Sequence, residues 1–109
     1  MFRFQVDLLG SCRVARIATG EEVAFRTRKT RCLLGLLLLS PGCRMNREQL
    51  ASLLWDPAPE ALARSSLRQA LRELREVLGP EGEGLVEADR FSVTLKGAAF
   101  DLDVRRFRE

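Results

Sequence analysis

Apolar and polar positions alternate from the start of the chain: Phe2, Phe4, Val6 and Leu8 are interleaved with Arg3, Gln5 and Asp7, and Gly10 ends the pattern. A period of two is that of a half-buried strand. Cys12, Val14 and Ile17 predict a second strand, Thr19 and Gly20 a turn, and Val23 with Phe25 a third short strand, which together make an N-terminal antiparallel sheet. The pattern then changes to CLLGLLLLS, apolar on nearly every side, with a polar lead-in at 27–31 and a stop at Pro41 and Gly42. Its leucines favour a helix capped by Thr27 or Thr30 over the competing buried strand, and a helix apolar all round must be enclosed by other elements.

Arg44 and Met45 read as an extended link. Asn46, with Gln49 three residues on, caps a second helix whose core face is Leu50, Leu53 and Leu54, and Trp55 followed by Asp56, Pro57, Ala58 and Pro59 ends it. From Glu60 to Leu78 the period is again helical, at about 100° per residue. Ala63, Leu67, Ala70, Leu71, Leu74 and Leu78 make one apolar stripe, Arg64, Arg68, Arg72 and Arg75 gather beside it, and Gly79 with Pro80 terminates it. Taken alone, the basic flank suits either a polyanion or a solvated surface with Arg–Glu pairs. Leu85 and Val86, then Phe91, Val93 and Leu95, alternate as a β-hairpin. Two helices joined by a tight loop, the second basic, followed by a hairpin, is the layout of an α+β winged helix-turn-helix domain with three helices and a C-terminal wing.

Composition sharpens this reading. A chain of 109 residues with 46% apolar and 30% charged side chains fits one globular domain. The net charge of +3 is modest, but the cations cluster at Arg26, Arg28, Lys29 and Arg31 and again on the 60–78 helix, a placement that suits a polyanion better than a membrane. Sixteen of the eighteen basic residues are Arg, whose fork matches phosphate and guanine, although GC-rich codon usage explains most of that bias. Cys12, Cys32 and Cys43 are widely spaced in a chain without His, so three buried thiols in a reducing cytosol are expected rather than zinc. The alternating N-terminus does not read as a signal peptide, and the apolar run from Cys32 to Leu39 is too short to span a bilayer, so a cytoplasmic protein is expected. With no Gly-rich phosphate loop, no nucleophile beside a base and no metal-ligand cluster in the sequence, neither an enzyme, a cofactor nor a small-molecule ligand is expected.

The segments FQVDLLG, RTRKTR leading into LLGLLLLSPG, NREQLASLLW, SLRQALRELREVLG and DLDVRRF occur in this order over essentially the whole chain. With them the chain resembles the winged-helix domain of OmpR/PhoB-type regulators, and more closely the N-terminal domain of SARP-type transcriptional activators, which begins with a small antiparallel sheet. The resemblance implies sequence-specific binding of double-stranded DNA by a bacterial-type transcriptional regulator. It places a recognition helix in the major groove, a wing on the adjacent backbone or minor groove, and loop residues on phosphates, and it allows a dimer on DNA. It sets Trp55 near the DNA backbone, against the alternative of a core or hinge Trp. It also makes Asp103, Val104 and Phe107 the opening of a following helical-repeat domain, so that residues 1–97 form the DNA-binding domain, residues 98–109 begin a linker or the next domain, and the chain reads as a fragment.

On the 60–78 helix the direction opposite the apolar stripe carries Ser65, Gln69, Arg72 and Glu76, of which Gln69 suits adenine and Arg72 guanine. Glu73 stands where OmpR/PhoB-type proteins often carry a base-contacting Arg; it is either a surface acid or an acceptor for a cytosine amino group. Arg64, Ser66, Arg68 and Arg75 are aimed at phosphates, with Ser65 near enough to join them, and Arg28, Lys29 and Arg31 either grip phosphate beside them or form a solvated basic loop. The wing departs from the family pattern: Glu87 and Asp89 repel phosphate and leave Arg90 as its evident cation. The alternative function is a winged helix that docks on a protein such as RNA polymerase.

Overall fold

The computed structural model describes residues 2–10 and 12–104. Strand β1 (Phe4–Asp7) pairs antiparallel with β2 (Arg13–Arg16), with Phe4 opposite Arg16 and Val6 opposite Val14. The third strand expected at Val23 and Phe25 does not form. Only an isolated bridge joins Ala15 to Glu22, and after the Val23 N–H donates to the Val14 carbonyl at 2.7 Å the chain leaves the sheet to begin the first helix.

Helix α1 (Arg28–Leu39) is capped by Thr27, whose Oγ1 accepts from the Thr30 N–H at 3.2 Å. Leu33, Leu34, Leu37 and Leu38 are buried, whereas Cys32 and Leu39 are exposed, so the helix is enclosed on most sides rather than all. The thiols divide in the same way: Cys43 is buried, Cys12 is half-buried with its pKa pushed up by that burial, and Cys32 lies at the surface, which corrects the expectation of three buried thiols. Ser40 and Pro41 end α1, and a 3-10 turn leads to β3 (Arg44–Asn46).

Helix α2 (Arg47–Trp55) starts as its sequence predicts, with Asn46 Oδ1 accepting from the N–H groups of Glu48 and Gln49 at 2.7 and 3.3 Å. Leu50, Ala51 and Leu54 subtend its buried side; Leu53 falls outside that arc and is exposed, contrary to expectation. Helix α3 (Glu60–Leu78) has the predicted bounds and buries all six residues of its apolar stripe. It stops at Gly79, which adopts φ 65°, a left-handed conformation that favours glycine, and donates to the carbonyls of Arg75 and Glu76. Gly82 passes so close beneath Leu78 that an added Cβ would lie 2.3 Å from the Leu78 Cβ, which seals the end of the helix against the next turn.

The hairpin is β4 (Val86–Ala88) and β5 (Ser92–Leu95), and β3 joins it to give the sheet order β3-β5-β4. The chain then returns as β6 (Phe100–Leu102), which pairs parallel with β1 and completes the order β2-β1-β6. The N-terminal sheet is therefore mixed rather than antiparallel as expected, and its third strand comes from the 98–109 segment. Phe100 is stacked on Phe4 with ring centroids 5.4 Å apart, both rings fully buried. Asp103 belongs to the same unit, since its carboxylate accepts from the N–H groups of Leu8 and Leu9 at 2.9 and 3.0 Å. Phe107 lies outside the described residues. The described residues make an α+β unit of three helices and two small sheets around one apolar cluster.

Candidate functional site

Helix α3 is held on three sides, and what remains defines a site. Along its inner side the apolar stripe enters the core. At its C-terminal end Arg16 donates to the Val77 carbonyl at 2.7 Å and pairs with Glu81 at 3.6 Å, setting a cation against the negative end of the helix. On one flank Glu73 accepts from Thr30 Oγ1 at 2.8 Å, and Thr30 in turn meets Thr27 Oγ1 at 2.9 Å. This chain ties α3 to the first turn of α1, where a carboxylate is favoured by the helix dipole. Glu73, expected either as a surface acid or as an acceptor for a cytosine amino group, is thereby bonded to α1. Ser66 is half-buried beside it in a cleft shared with Thr27, Lys29, Trp55 and Gln69.

The outward edge carries Ser65, Gln69 and Arg72, all exposed. Glu76 lies further along the same edge and pairs with Arg26 at 3.2 Å. Leu62, two turns before Gln69 and 57% exposed, shares this edge; sequence reading missed it, although helical spacing gives its position directly.

The other flank of α3 faces the hairpin across a groove lined by Arg47, Arg64, Arg68 and Arg90, with Glu48, Leu67 and Phe91. Arg64 also pairs with Glu60 one turn earlier, at 2.8 Å. Arg75, further along, donates to the Val86 carbonyl at 3.4 Å and so braces the hairpin. Arg47, at the start of α2, was not among the expected cations. Its Nε donates to the Asp89 carbonyl at 2.7 Å and its backbone N–H to the Phe91 carbonyl at 2.8 Å, which clamps the hairpin turn to α2.

The hairpin acids are also engaged. Asp89 Oδ1 accepts from the N–H groups of Phe91 and Ser92 at 2.8 and 2.7 Å. These backbone donors hold its pKa below the usual carboxylate value, the Ser92 bond first, with the Arg44 charge as a smaller contribution. Glu87 pairs with Lys96 at 3.3 Å. Arg44 donates to Ser92 Oγ at 3.1 Å. The hairpin is therefore bonded to Arg44 and Arg47 near its turn and carries the Lys96–Glu87 pair towards its base, in addition to Arg90.

No protein-family model, curated protein or solved structure matches this chain.

The basic lead-in to α1 is divided among different tasks. Arg26 reaches Glu76, Lys29 donates to the Leu54 carbonyl, and Arg31 lies over the Phe25 ring at 5.7 Å. Arg28 is exposed at the first position of α1. Trp55 is half-buried, packed against the core while lining the cleft between α1 and α3. Among the described residues no cluster of three or more His, Cys, Asp or Glu is placed to hold a metal ion, and no helix is long and apolar enough to cross a membrane.

Proposed function

We propose that this chain is a sequence-specific, double-stranded DNA-binding domain of a transcriptional regulator, a winged helix-turn-helix of the OmpR/PhoB type near to the SARP form. The observation that carries this reading is the pair of surfaces on α3: an exposed polar edge of Ser65, Gln69 and Arg72, and beside it a groove where Arg47, Arg64, Arg68 and Arg90 converge. Guanidinium groups repel one another, and a groove lined by four of them, with Glu48 in its wall and Glu60 beside Arg64, suits an anion with spaced charges. A phosphate strand in that groove sets the register, and the polar edge of α3 then lies in the major groove. There Gln69 pairs with adenine N6 and N7, and Arg72 with guanine N7 and O6. Glu73 fixes the helix on α1 and reads no base.

Fluorescence anisotropy with a mixed-sequence duplex at several salt concentrations tests this. Affinity that falls with salt in log–log form with a slope of about −3 to −4 fits four phosphates neutralised; no binding at low salt contradicts it. A second reading, docking on a protein such as RNA polymerase, draws on Leu53 and Leu62, 59% and 57% exposed on α2 and α3, and is the one left standing by that negative result.

A further inference from the structure

Two of the three thiols lie on either side of the place where the end of the β1–β2 hairpin packs on α1. Leu8 and Cys12 follow the last pair of that hairpin, Asp7 opposite Arg13. Side chains alternate along a strand, so both fall on the face of Val6 and Val14, which is buried. On α1, Cys32 and Gly35 stand three residues apart and share one flank. The two elements touch there: a Cβ added to Gly35 would meet Leu8 Cδ2 at 3.8 Å. Asp103 holds the hairpin end in place, its carboxylate accepting from the Leu8 and Leu9 N–H groups at 2.9 and 3.0 Å.

The electrostatics of Cys12 report the same neighbours. Burial pushes its thiol pKa up most, the Arg31 charge opposes this, and charge on Cys32 and on Asp103 adds to the rise. Cys12 therefore senses Cys32 across the contact between hairpin and helix. Of the pair, Cys32 is exposed, while Cys12 is half-buried and kept protonated. An oxidant in solution reaches Cys32 first and leaves Cys12 behind it as a resolving thiol. The third thiol, Cys43, is buried and donates to the Leu38 carbonyl at 3.9 Å.

We infer that Cys12 and Cys32 are a peroxide-sensitive thiol pair that closes to an intramolecular disulfide and staples the hairpin to α1. The Cys32 sulfur attacks the O–O bond of hydrogen peroxide, loses its proton and becomes a sulfenic acid as one water leaves. The Cys12 sulfur then displaces the sulfenic oxygen: the S–S bond forms, the S–O bond breaks, and the Cys12 proton leaves with that oxygen as a second water. The thiols together give up two electrons, and the peroxide takes them. The staple encloses residues 13–31 and ends two residues after Thr30, whose hydroxyl holds Glu73 of α3. Oxidation thus locks the sheet to the helix that seats α3. None of this depends on DNA binding.

The test treats the reduced chain with hydrogen peroxide at low protein concentration, blocks the remaining thiols, and sequences linked peptides by tandem mass spectrometry. A Cys12–Cys32 bridge within the monomer is expected. Closing that loop should raise the urea midpoint by about 1 M over the reduced chain. Cys12→Ser is expected to stop at a Cys32 sulfenic acid that dimedone traps, and Cys32→Ser to leave Cys12 reduced under the same treatment. Urea midpoints of the reduced variants check folding, and the wild-type mapping needs neither variant. Bridges only between chains, a bridge to Cys43, a wild-type chain that forms no bridge, or a bridged chain whose urea midpoint is unchanged or lowered overturns the inference.

Discussion

Glu73 accepts from Thr30, a hydroxyl with no exposed surface, and so links α3 to the capped first turn of α1. A hydrogen bond to a charged acceptor contributes about 1.5–3 kcal/mol when well sheltered, and the half-exposed setting of Glu73 reduces this to about 1 kcal/mol. Glu73→Ala is therefore expected to lower the unfolding free energy in urea by about that amount while leaving base preference unchanged. A changed base preference at unchanged stability would return Glu73 to the reading edge. This role was not legible in the sequence, where an acid on the flank of a basic helix looks solvated. Its partner lies 43 residues away, and only the packing of α1 across α3 brings the two together. Phe91, which alternation places on the buried side, is 69% exposed for the opposite reason: period two held through Val93 and Leu95, but the Asp89 turn took over before the pattern reached Phe91.

At the level of elements, legibility followed locality. Helix α3 could be read to the residue because six apolar side chains repeat at helical spacing and Gly79 with Pro80 stops it. Strand β6 could not, because its Phe100–Leu102 segment is short and its pairing is with β1 at the other end of the chain. The third local strand expected at Val23 and Phe25 is reduced to a single bridge beside β2, while β6 takes the opposite edge, beside β1. The fully buried Phe100, stacked on Phe4, makes β6 part of the core rather than a linker. Phe100→Ala should cost about 3–5 kcal/mol in urea denaturation, the usual range for a buried ring removed to leave a cavity. A loss below about 1 kcal/mol would mean that β6 is peripheral and that the domain ends near residue 97 after all.

Across the whole molecule, the candidate interface is assembled from three places in the chain: the start of α2, one flank and the outer edge of α3, and the hairpin turn. The basic flank of α3 was legible from periodicity alone. Arg90 was legible as the wing cation, but the continuation through Arg47 was not, because Arg47 precedes the first core residue of α2 and shows no pattern until the hairpin folds against it. The wing acids looked repulsive for the same reason, since their partners Lys96 and the Phe91 and Ser92 amides appear only in the folded hairpin. The resulting division assigns phosphates to the groove and bases to the edge. The most direct measurement of it compares Arg68→Ala and Arg72→Ala with the wild-type chain over a set of duplexes differing by single base pairs, at two salt concentrations. Arg68→Ala is expected to weaken every duplex alike and lower the salt slope by about one unit, while Arg72→Ala abolishes discrimination worth about 1–3 kcal/mol at one base pair. Equal losses for the two variants on every sequence would contradict the division between the groove and the edge.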